Sequence, residues 1–397
     1  MISGQPLAVF DMESARGNVV LTIDGCDLDL GPHTRLASAR EKVDFILTRF
    51  QAGLTYPTPT LTELSQAVRQ LDDSMGQIAY LLVDDNVGLL DEIRTRLVNA
   101  WPQWQLPTEV IPLVEIRGHD EDFPFELLPL FDATPVQEFV NYAEAEDALR
   151  RFLGFGAAVR RTTGETAEIE DLRASPRLPV QLLSHTEIVT GAGAESLATH
   201  GGIDVEGPWP ETGIPPETVI ERLVDALYDP TKALDGGTRS CPIQIQHFAC
   251  HCTTINQTDE GYTLILGGSG DRECRISLGR IRQGFRQRAQ QRGPETADTV
   301  RSLIIANACG SAKIDKATRR SFPRWFLKNK HRGFIGTETD VPEEVAVAFS
   351  VRLYDSLLDR RTLGEAVVLA RRRLFTDRSN PLGLLYVLYG DPFLRIR

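Results

Sequence analysis

The stretch Leu303–Ser311 reads LIIANACGS, an apolar run that ends in a cysteine, a glycine and a serine. A second run, Ile243–His251, reads IQIQHFACH and ends in a histidine. Such runs predict buried strands, and in a parallel α/β sheet reactive residues gather where the strands end. A cysteine and a histidine at neighbouring strand ends can act as thiol nucleophile and base. Cys309 and His251 are therefore the candidate catalytic pair.

Strand and helix patterns alternate from Val110 to the end of the chain. Val110–Ile116 has the pattern of a short buried strand, and Val136–Gly156 has that of a helix ended by glycines. Repeated alternation predicts an α/β fold, with a mostly parallel sheet flanked by helices. We assign this pattern to one domain, residues 106–397.

The first part of the chain has its own pattern. Asn18–Asp24 predicts a strand, and Leu61–Val83 has the apolar spacing of a helix. Thr60 precedes that helix and Glu63 follows three residues later, which indicates a capping box. Because no catalytic constellation occurs here, residues 1–105 are expected to form an accessory domain, small α/β or mainly helical.

Composition limits the possible function classes. The chain has 397 residues, of which 42% are hydrophobic and 25% are charged, as in globular proteins. The net charge of −12 argues against direct nucleic-acid binding, which needs a clustered cationic surface. There is no apolar stretch long enough to span a membrane and no secretory signal pattern at the amino terminus. Six cysteines are too few for a disulfide framework, so the expected location is cytoplasmic.

Two features beside the catalytic candidates admit a second interpretation. Cys250, Cys252 and Cys274 lie near His251 and suggest zinc ligands. However, successive strand residues point to opposite faces, and the spacing matches no common zinc pattern, so no metal is expected. His247 shares a strand face with His251 but lies inside the run, which favours a structural role.

A basic segment follows the candidate nucleophile. Its cations are Lys313, Lys316, Arg319, Arg320, Arg324, Lys328, Lys330 and Arg332. The simpler interpretation is a solvated loop and helix face. The alternative is a docking surface, or a loop that rearranges on activation.

Six short segments occur in a recognisable order. They are Phe123–Leu128 (FPFELL), His247–His251 (HFACH), Ile304–Cys309 (IIANAC), Phe334–Thr337 (FIGT), Leu363–Ala366 (LGEA) and Tyr389–Pro392 (YGDP). In these segments the chain, from about Val110 to Arg397, resembles the CHAT domain, a bacterial branch of the caspase-like cysteine proteases. The 58 residues from His251 to Cys309 are close to the spacing of roughly 50 in caspases.

The resemblance implies a role for each candidate residue. His251 would be the general base and Cys309 the nucleophile in peptide-bond cleavage. The backbone N–H groups of Cys309 and Cys252 would bind the oxyanion of the intermediate. Residue 252 departs from the glycine that the family commonly has, so its side chain could narrow the oxyanion site or demand a different backbone angle.

The resemblance also implies a substrate and a partner. Glu338 and Asp340 follow the FIGT segment, near the family's side-chain pocket, where they would favour a basic residue before the cleaved bond. The alternative is that they are surface carboxylates at a helix start. The substrate is expected to be a protein, no cofactor is needed, and a regulatory or activating protein partner is expected, in bacterial defence or cell death. The alternative function is a catalytically silent CHAT-like scaffold that binds a partner.

Overall fold

The computed structural model describes most of the chain. The described residues are 1–12, 17–104, 110–118, 123–132, 134, 136–162, 170–185, 188, 200–254, 262–267, 273–292, 299–312 and 321–397. They fall into two compact units. The first unit comprises Met1–Thr166 and Ala348–Phe393, and the second comprises Ala167–Val347 and Leu394–Arg397.

The secondary structure alternates between strands and helices over most of the chain. The strands are β1 (Ile2–Asp11), β2 (Asn18–Ile23), β3 (Cys26–Pro32), β4 (Ile111–Arg117), β5 (Ala158–Thr162), β6 (Leu178–Ser184), β7 (Ile203–Trp209), β8 (Ile245–Ala249), β9 (His251–Thr254), β10 (Tyr262–Gly267), β11 (Glu273–Ser277), β12 (Leu303–Asn307), β13 (Gly333–Thr337) and β14 (Tyr386–Gly390). The helices are α1 (Thr34–Ala52), α2 (Leu61–Leu82), α3 (Val87–Ala100), α4 (Tyr142–Arg150), α5 (Leu153–Gly156), α6 (Pro216–Tyr228), α7 (Leu278–Arg292), α8 (Phe322–Lys328), α9 (Glu343–Leu358) and α10 (Leu363–Arg378). Short 3₁₀ turns cover Phe125–Leu127 and Pro381–Leu385.

Within the described residues, the first unit carries six strands in the order β3-β2-β1-β4-β5-β14. β1, β4 and β5 run parallel, whereas β2, β3 and β14 pair antiparallel with their neighbours. The alternate residues of β2 are buried, as the sequence pattern predicts. The predicted capping box of α2 forms, because the Thr60 side chain accepts from the Glu63 amide and the Glu63 carboxylate accepts from the Thr60 amide.

The chain on either side of residue 105 packs within the first unit. β1 pairs in parallel with β4, with Val9 opposite Glu115. At Gly364 in α10, a Cβ atom would lie only 2.8 Å from Cδ1 of Ile2, so glycine allows the helix to approach the strand. These contacts join segments that lie far apart in sequence. The division of the chain into domains at 1–105 and 106–397 stays a prediction.

In the part of the second unit that the structure describes, five parallel strands have the order β13-β12-β8-β6-β7. Every residue of β6 is buried, as expected for a strand covered on both faces. Helix α6 packs against α7, and α8 packs against β13. A separate antiparallel sheet has the order β11-β10-β9. The expected α/β fold with a mostly parallel sheet flanked by helices is confirmed.

Among the described residues, none of the helices has the length and apolar character that crossing a membrane requires.

Candidate active site

The two candidate catalytic residues follow neighbouring strands of the second unit. β8 and β12 run parallel, and their last residues, Ala249 and Asn307, are opposite each other. His251 and Cys309 each come two residues after these partners. The structure therefore brings both residues to the same edge of the sheet, because parallel strands end on the same side.

The position of His251 differs in one respect from the sequence-based expectation. The histidine does not end the parallel strand, since β8 stops at Ala249 and the chain bends at Cys250. His251 is instead the first residue of β9, where it lies opposite Ile265 of β10. Its side chain is exposed. The antiparallel pairing with β10 redirects the chain as soon as it leaves the parallel sheet.

Cys309 lies in a tight loop, residues 308–312, which we call the nucleophile loop. Thr337 at the end of β13 holds both ends of this loop. Its hydroxyl donates to the carbonyl of Ala308 at 3.0 Å, and its carbonyl accepts from the amide of Ala312 at 3.0 Å. The Ser311 hydroxyl is buried and donates to the carbonyl of Ala306 at 2.9 Å. These bonds fix the loop that carries the thiol against β13.

Glycine at position 336 makes this packing possible. A Cβ atom at Gly336 would lie 2.7 Å from the Ser311 hydroxyl oxygen and 3.2 Å from the Ala312 amide nitrogen. Both atoms belong to the nucleophile loop, so a larger residue would press on the loop as well as on the Phe334 ring, which would lie 2.5 Å from the added atom.

The surroundings of Cys309 oppose ionisation of its thiol. Burial raises the pKa of Cys309 to about 11, and the negative charge of Asp340 adds to this effect. The Asp340 carboxylate also accepts a hydrogen bond from the thiol, whereas the Val341 amide interacts with the sulfur and acts in the opposite direction. In this structure Cys309 is therefore a neutral thiol at physiological pH.

The two predicted substrate-binding carboxylates have different environments. Asp340 is exposed and faces the Cys309 thiol. Glu338 is buried, with 1% of its surface exposed. Of these two carboxylates, Asp340 is therefore the one that lies beside the nucleophile and is also accessible to solvent.

A second histidine, which the sequence analysis did not identify, packs against His251. The ring of His185 lies 4.9 Å from that of His251 between centroids, in an edge-to-face arrangement with an interplanar angle of 65°. His185 is buried and directly follows β6, and its amide donates to the Ala249 carbonyl at 2.9 Å. The signal that could have found it is the one used for His251, a histidine at the end of a buried strand.

His247 has the surroundings of a structural residue. It is buried in β8, and burial lowers its pKa to about 4. The side-chain amide of Asn307 donates to its Nε2 atom at 3.1 Å, which requires that nitrogen to be unprotonated.

The cysteines beside His251 are buried. Cys252 lies in β9 opposite Leu264, and its backbone N–H as an oxyanion donor stays a prediction. Burial raises the pKa of Cys250 well above its ordinary value, with further contributions from neighbouring Cys252 and Cys309. Cys250 is therefore an unreactive thiol. In the described part of the chain, no group of three His, Cys, Asp or Glu residues is arranged to hold a metal ion.

Part of the basic segment is outside the described residues. This part comprises Lys313, Lys316, Arg319 and Arg320. The remaining cations, from Arg324 to Arg332, lie on α8 and the turn that follows it.

Comparisons with known proteins point to peptidases. Residues 296–397, which include the nucleophile loop, match the family described as Peptidase family C25. A probable protease of Vitiosangium sp. is 32% identical over 90 residues, which cover 22% of this chain and 12% of the relative. The expected enzyme class, a cysteine peptidase, is confirmed at the level of sequence similarity.

Solved structures of two proteases are similar to the chain at low sequence identity. The Arg-specific cysteine proteinase gingipain R of Porphyromonas gingivalis is 11% identical, with 92% of this chain and 76% of that chain covered and a TM-score of 0.39. The separase of the Saccharomyces cerevisiae separase–securin complex is 10% identical, with 98% of this chain and 30% of that chain covered and a TM-score of 0.44. Similarity at this level does not extend to a shared substrate or partner.

Proposed function

We propose that this chain is a cysteine endopeptidase of the caspase-like CHAT type, in which Cys309 is the nucleophile and His251 the general base. The observation that carries the proposal is the register of β8 and β12, which sets His251 and Cys309 at equivalent positions beyond paired strand ends.

The reaction follows from these two groups. The imidazole of His251 accepts the proton of the Cys309 thiol, and the sulfur attacks the carbonyl carbon of the substrate. The backbone N–H groups of Cys309 and Cys252 are the proposed donors to the oxyanion. His251 then gives the proton to the leaving amine as the C–N bond breaks, and water hydrolyses the thioester to free the carboxylate product and the thiol.

Asp340 is the proposed determinant of substrate preference. A basic side chain that precedes the cleaved bond would pair with this exposed carboxylate next to the sulfur. Glu338 was proposed for the same role, but its burial leaves less room for direct contact with a substrate. The proposed preference is thus for Arg or Lys, with Asp340 as its main source.

A raised thiol pKa also supports regulation. Because the resting Cys309 is protonated and bonded to Asp340, the proposed enzyme needs a change at this site before it reacts. A protein partner in a bacterial defence or cell-death pathway is the proposed source of that change. The six cysteines are free, which supports a reducing, cytoplasmic location. The same raised pKa also favours the second candidate, a catalytically silent scaffold.

An electrophilic peptide probe separates the two candidates without knowledge of the natural substrate. The probe carries Arg before a thiol-reactive group, and labelled positions are identified by mass spectrometry of the wild type, Cys309→Ala and His251→Ala proteins. An endopeptidase gives labelling at Cys309 that is lost in Cys309→Ala and is much slower in His251→Ala.

Matched controls are available in the same chain. Cys241→Ala removes an exposed cysteine, and His200→Ala removes a histidine outside the site, so neither should change labelling at Cys309. Cleavage of a peptide library is then measured with and without candidate partners. Cleavage that persists unchanged in Cys309→Ala would show that the assigned nucleophile is wrong.

A further inference from the structure

A concave site lies in the second unit, apart from the residues of the candidate active site. It is a cleft of about 690 Å³, lined mainly by α7, α8 and the turn that follows α8. This volume is in the usual range of small-molecule sites, roughly 300–1,000 Å³. The cleft includes Arg324, Lys328 and Lys330, cations of the basic segment that the proposed peptidase reaction does not use.

The walls of the cleft are strongly cationic. Arg282 and Arg286 are four residues apart on α7, and Arg324 and Lys328 are four apart on α8. Residues at this spacing share one helix face, and like charges there repel each other. Among the described residues that line the cleft, none is Asp or Glu. Arg286 and Lys328 are exposed on these walls, and in a chain with a net charge of −12 their positive charge favours an anionic ligand.

The floor of the cleft is a buried guanidinium. Arg301 is 3% exposed, and its Nε and Nη1 atoms donate to the carbonyls of Tyr228 at 2.9 Å and Asn329 at 2.7 Å. The guanidinium lies 4.8 Å from the ring centroid of Tyr228 and 5.5 Å from that of Phe285. Both acceptors are main-chain carbonyls, so these bonds hold the guanidinium in place without adding a carboxylate to the floor. The floor is therefore positive and held in place.

An aromatic side chain stands among the cations. Trp325 is half-buried on α8, and its ring meets that of Phe285 edge-on, with 4.6 Å between centroids and an interplanar angle of 78°. It also lies 5.0 Å from the Phe326 ring, so its orientation is fixed from two sides. A partly exposed indole held in this way is suited to stack on a planar ligand.

We propose that this cleft binds a nucleotide, with its phosphates on the cations of α7 and α8 and its base on Trp325. The cations bind the phosphate groups, and the indole stacks on the base. Inorganic phosphate and acidic peptides lack a base for this stacking contact. The limited volume also favours a small molecule over an extended acidic peptide.

Binding is tested on the full chain by equilibrium dialysis in about 0.15 M salt, where surface attraction is screened within roughly 8 Å. The probes are ATP, adenosine, inorganic tripolyphosphate and a hexaglutamate peptide. We expect saturable binding of ATP, and binding at least about tenfold weaker for each of the other three probes.

Variants locate the site. Arg286→Glu and Lys328→Glu change exposed cleft residues and should each weaken ATP binding by about tenfold or more. Arg378→Glu, an equal charge change at an exposed position on α10, should change it less than about twofold. Trp325→Leu should reduce the affinity for ATP but not for tripolyphosphate, and circular dichroism checks that each variant is folded.

Three results would overturn the inference. They are no saturable ATP binding, equal affinity for ATP, tripolyphosphate and hexaglutamate, and an equal loss of affinity in Arg378→Glu. The measurement does not depend on peptide cleavage, so its outcome is independent of whether Cys309 is the nucleophile.

Discussion

Replacing Asp340 by Asn should make Cys309 more reactive towards a small electrophile. The Asp340 carboxylate opposes ionisation of the thiol in two ways, by its charge and by accepting the thiol hydrogen bond. Asparagine keeps the size of the side chain and removes the charge. The pKa of Cys309 should therefore fall, and the thiolate should become more abundant at any pH below that pKa.

The raised pKa of the Cys309 thiol sets the size of the effect. A thiol with a pKa of about 11 is ionised in roughly one molecule in a thousand at pH 8. Burial remains the largest cause of the raised pKa, so removing Asp340 should lower the pKa by about one rather than restore the ordinary value. The thiolate then becomes about tenfold more abundant. Because a less basic thiolate is also a weaker nucleophile, the alkylation rate should rise only about threefold.

The assay is the rate of iodoacetamide alkylation at Cys309 from pH 7 to pH 11, followed by mass spectrometry. The exposed Cys241 is an internal reference in each sample. Glu344→Gln is the matched control, because it removes a negative charge from an exposed position only four residues beyond Asp340. Its effect on Cys309 should be small.

Peptide cleavage should move in the opposite direction. If Asp340 binds the basic residue of the substrate, Asp340→Asn should raise KM for peptides with Arg or Lys before the cleaved bond, although the thiol is more reactive. Asp340 does not control the thiol pKa if Asp340→Asn is alkylated no faster than wild type, or if Glu344→Gln gives the same increase.

Three further predictions concern the loop, the core and the response to acid. Gly336→Ala should displace the nucleophile loop. The rate at which the electrophilic Arg peptide labels Cys309 should fall at least about tenfold, in a protein that circular dichroism shows to be folded. The buried carboxylate of Glu126 accepts two bonds from Arg161, at 2.5 and 2.6 Å. Glu126→Ala removes this carboxylate from beside the buried guanidinium, so it should lower the free energy of unfolding, measured in urea, by about 3–5 kcal/mol. Glu92→Ala, at an exposed ion pair, should lower it by less than about 1 kcal/mol. His247 is buried and neutral, with a pKa of about 4 against an ordinary 6.5. As the pH drops from 6.5 towards 4, the unfolded chain takes up a proton at this histidine before the folded chain does, so the urea midpoint of unfolding should fall. An unchanged midpoint would contradict this prediction.

The sequence was sufficient for features that depend on neighbours along the chain. Helix α2 and its capping box between Thr60 and Glu63 follow from apolar spacing and from residues three positions apart. The strands that precede His251 and Cys309 follow from apolar runs of a few residues. The alternation of such elements then predicted the α/β class with a mostly parallel sheet.

Some strands were beyond the reach of these patterns. β1 and β3 were not predicted. β1 is half exposed over much of its length, so its apolar pattern is weak. β1 exists through its pairing with β2 on one side and β4 on the other. Pairing partners more than a hundred residues apart leave no periodic signal in the segment itself.

The residue types that close the two apolar runs can be read from the chain alone, and they identified His251 and Cys309 as base and nucleophile candidates. Their surroundings are visible only in the folded chain, where the carboxylate of Asp340 lies beside the sulfur and the ring of His185 packs against His251. The physical reason is that each strand is specified by its own side chains, whereas the neighbours at its end are set by the order and register of strands from distant parts of the chain.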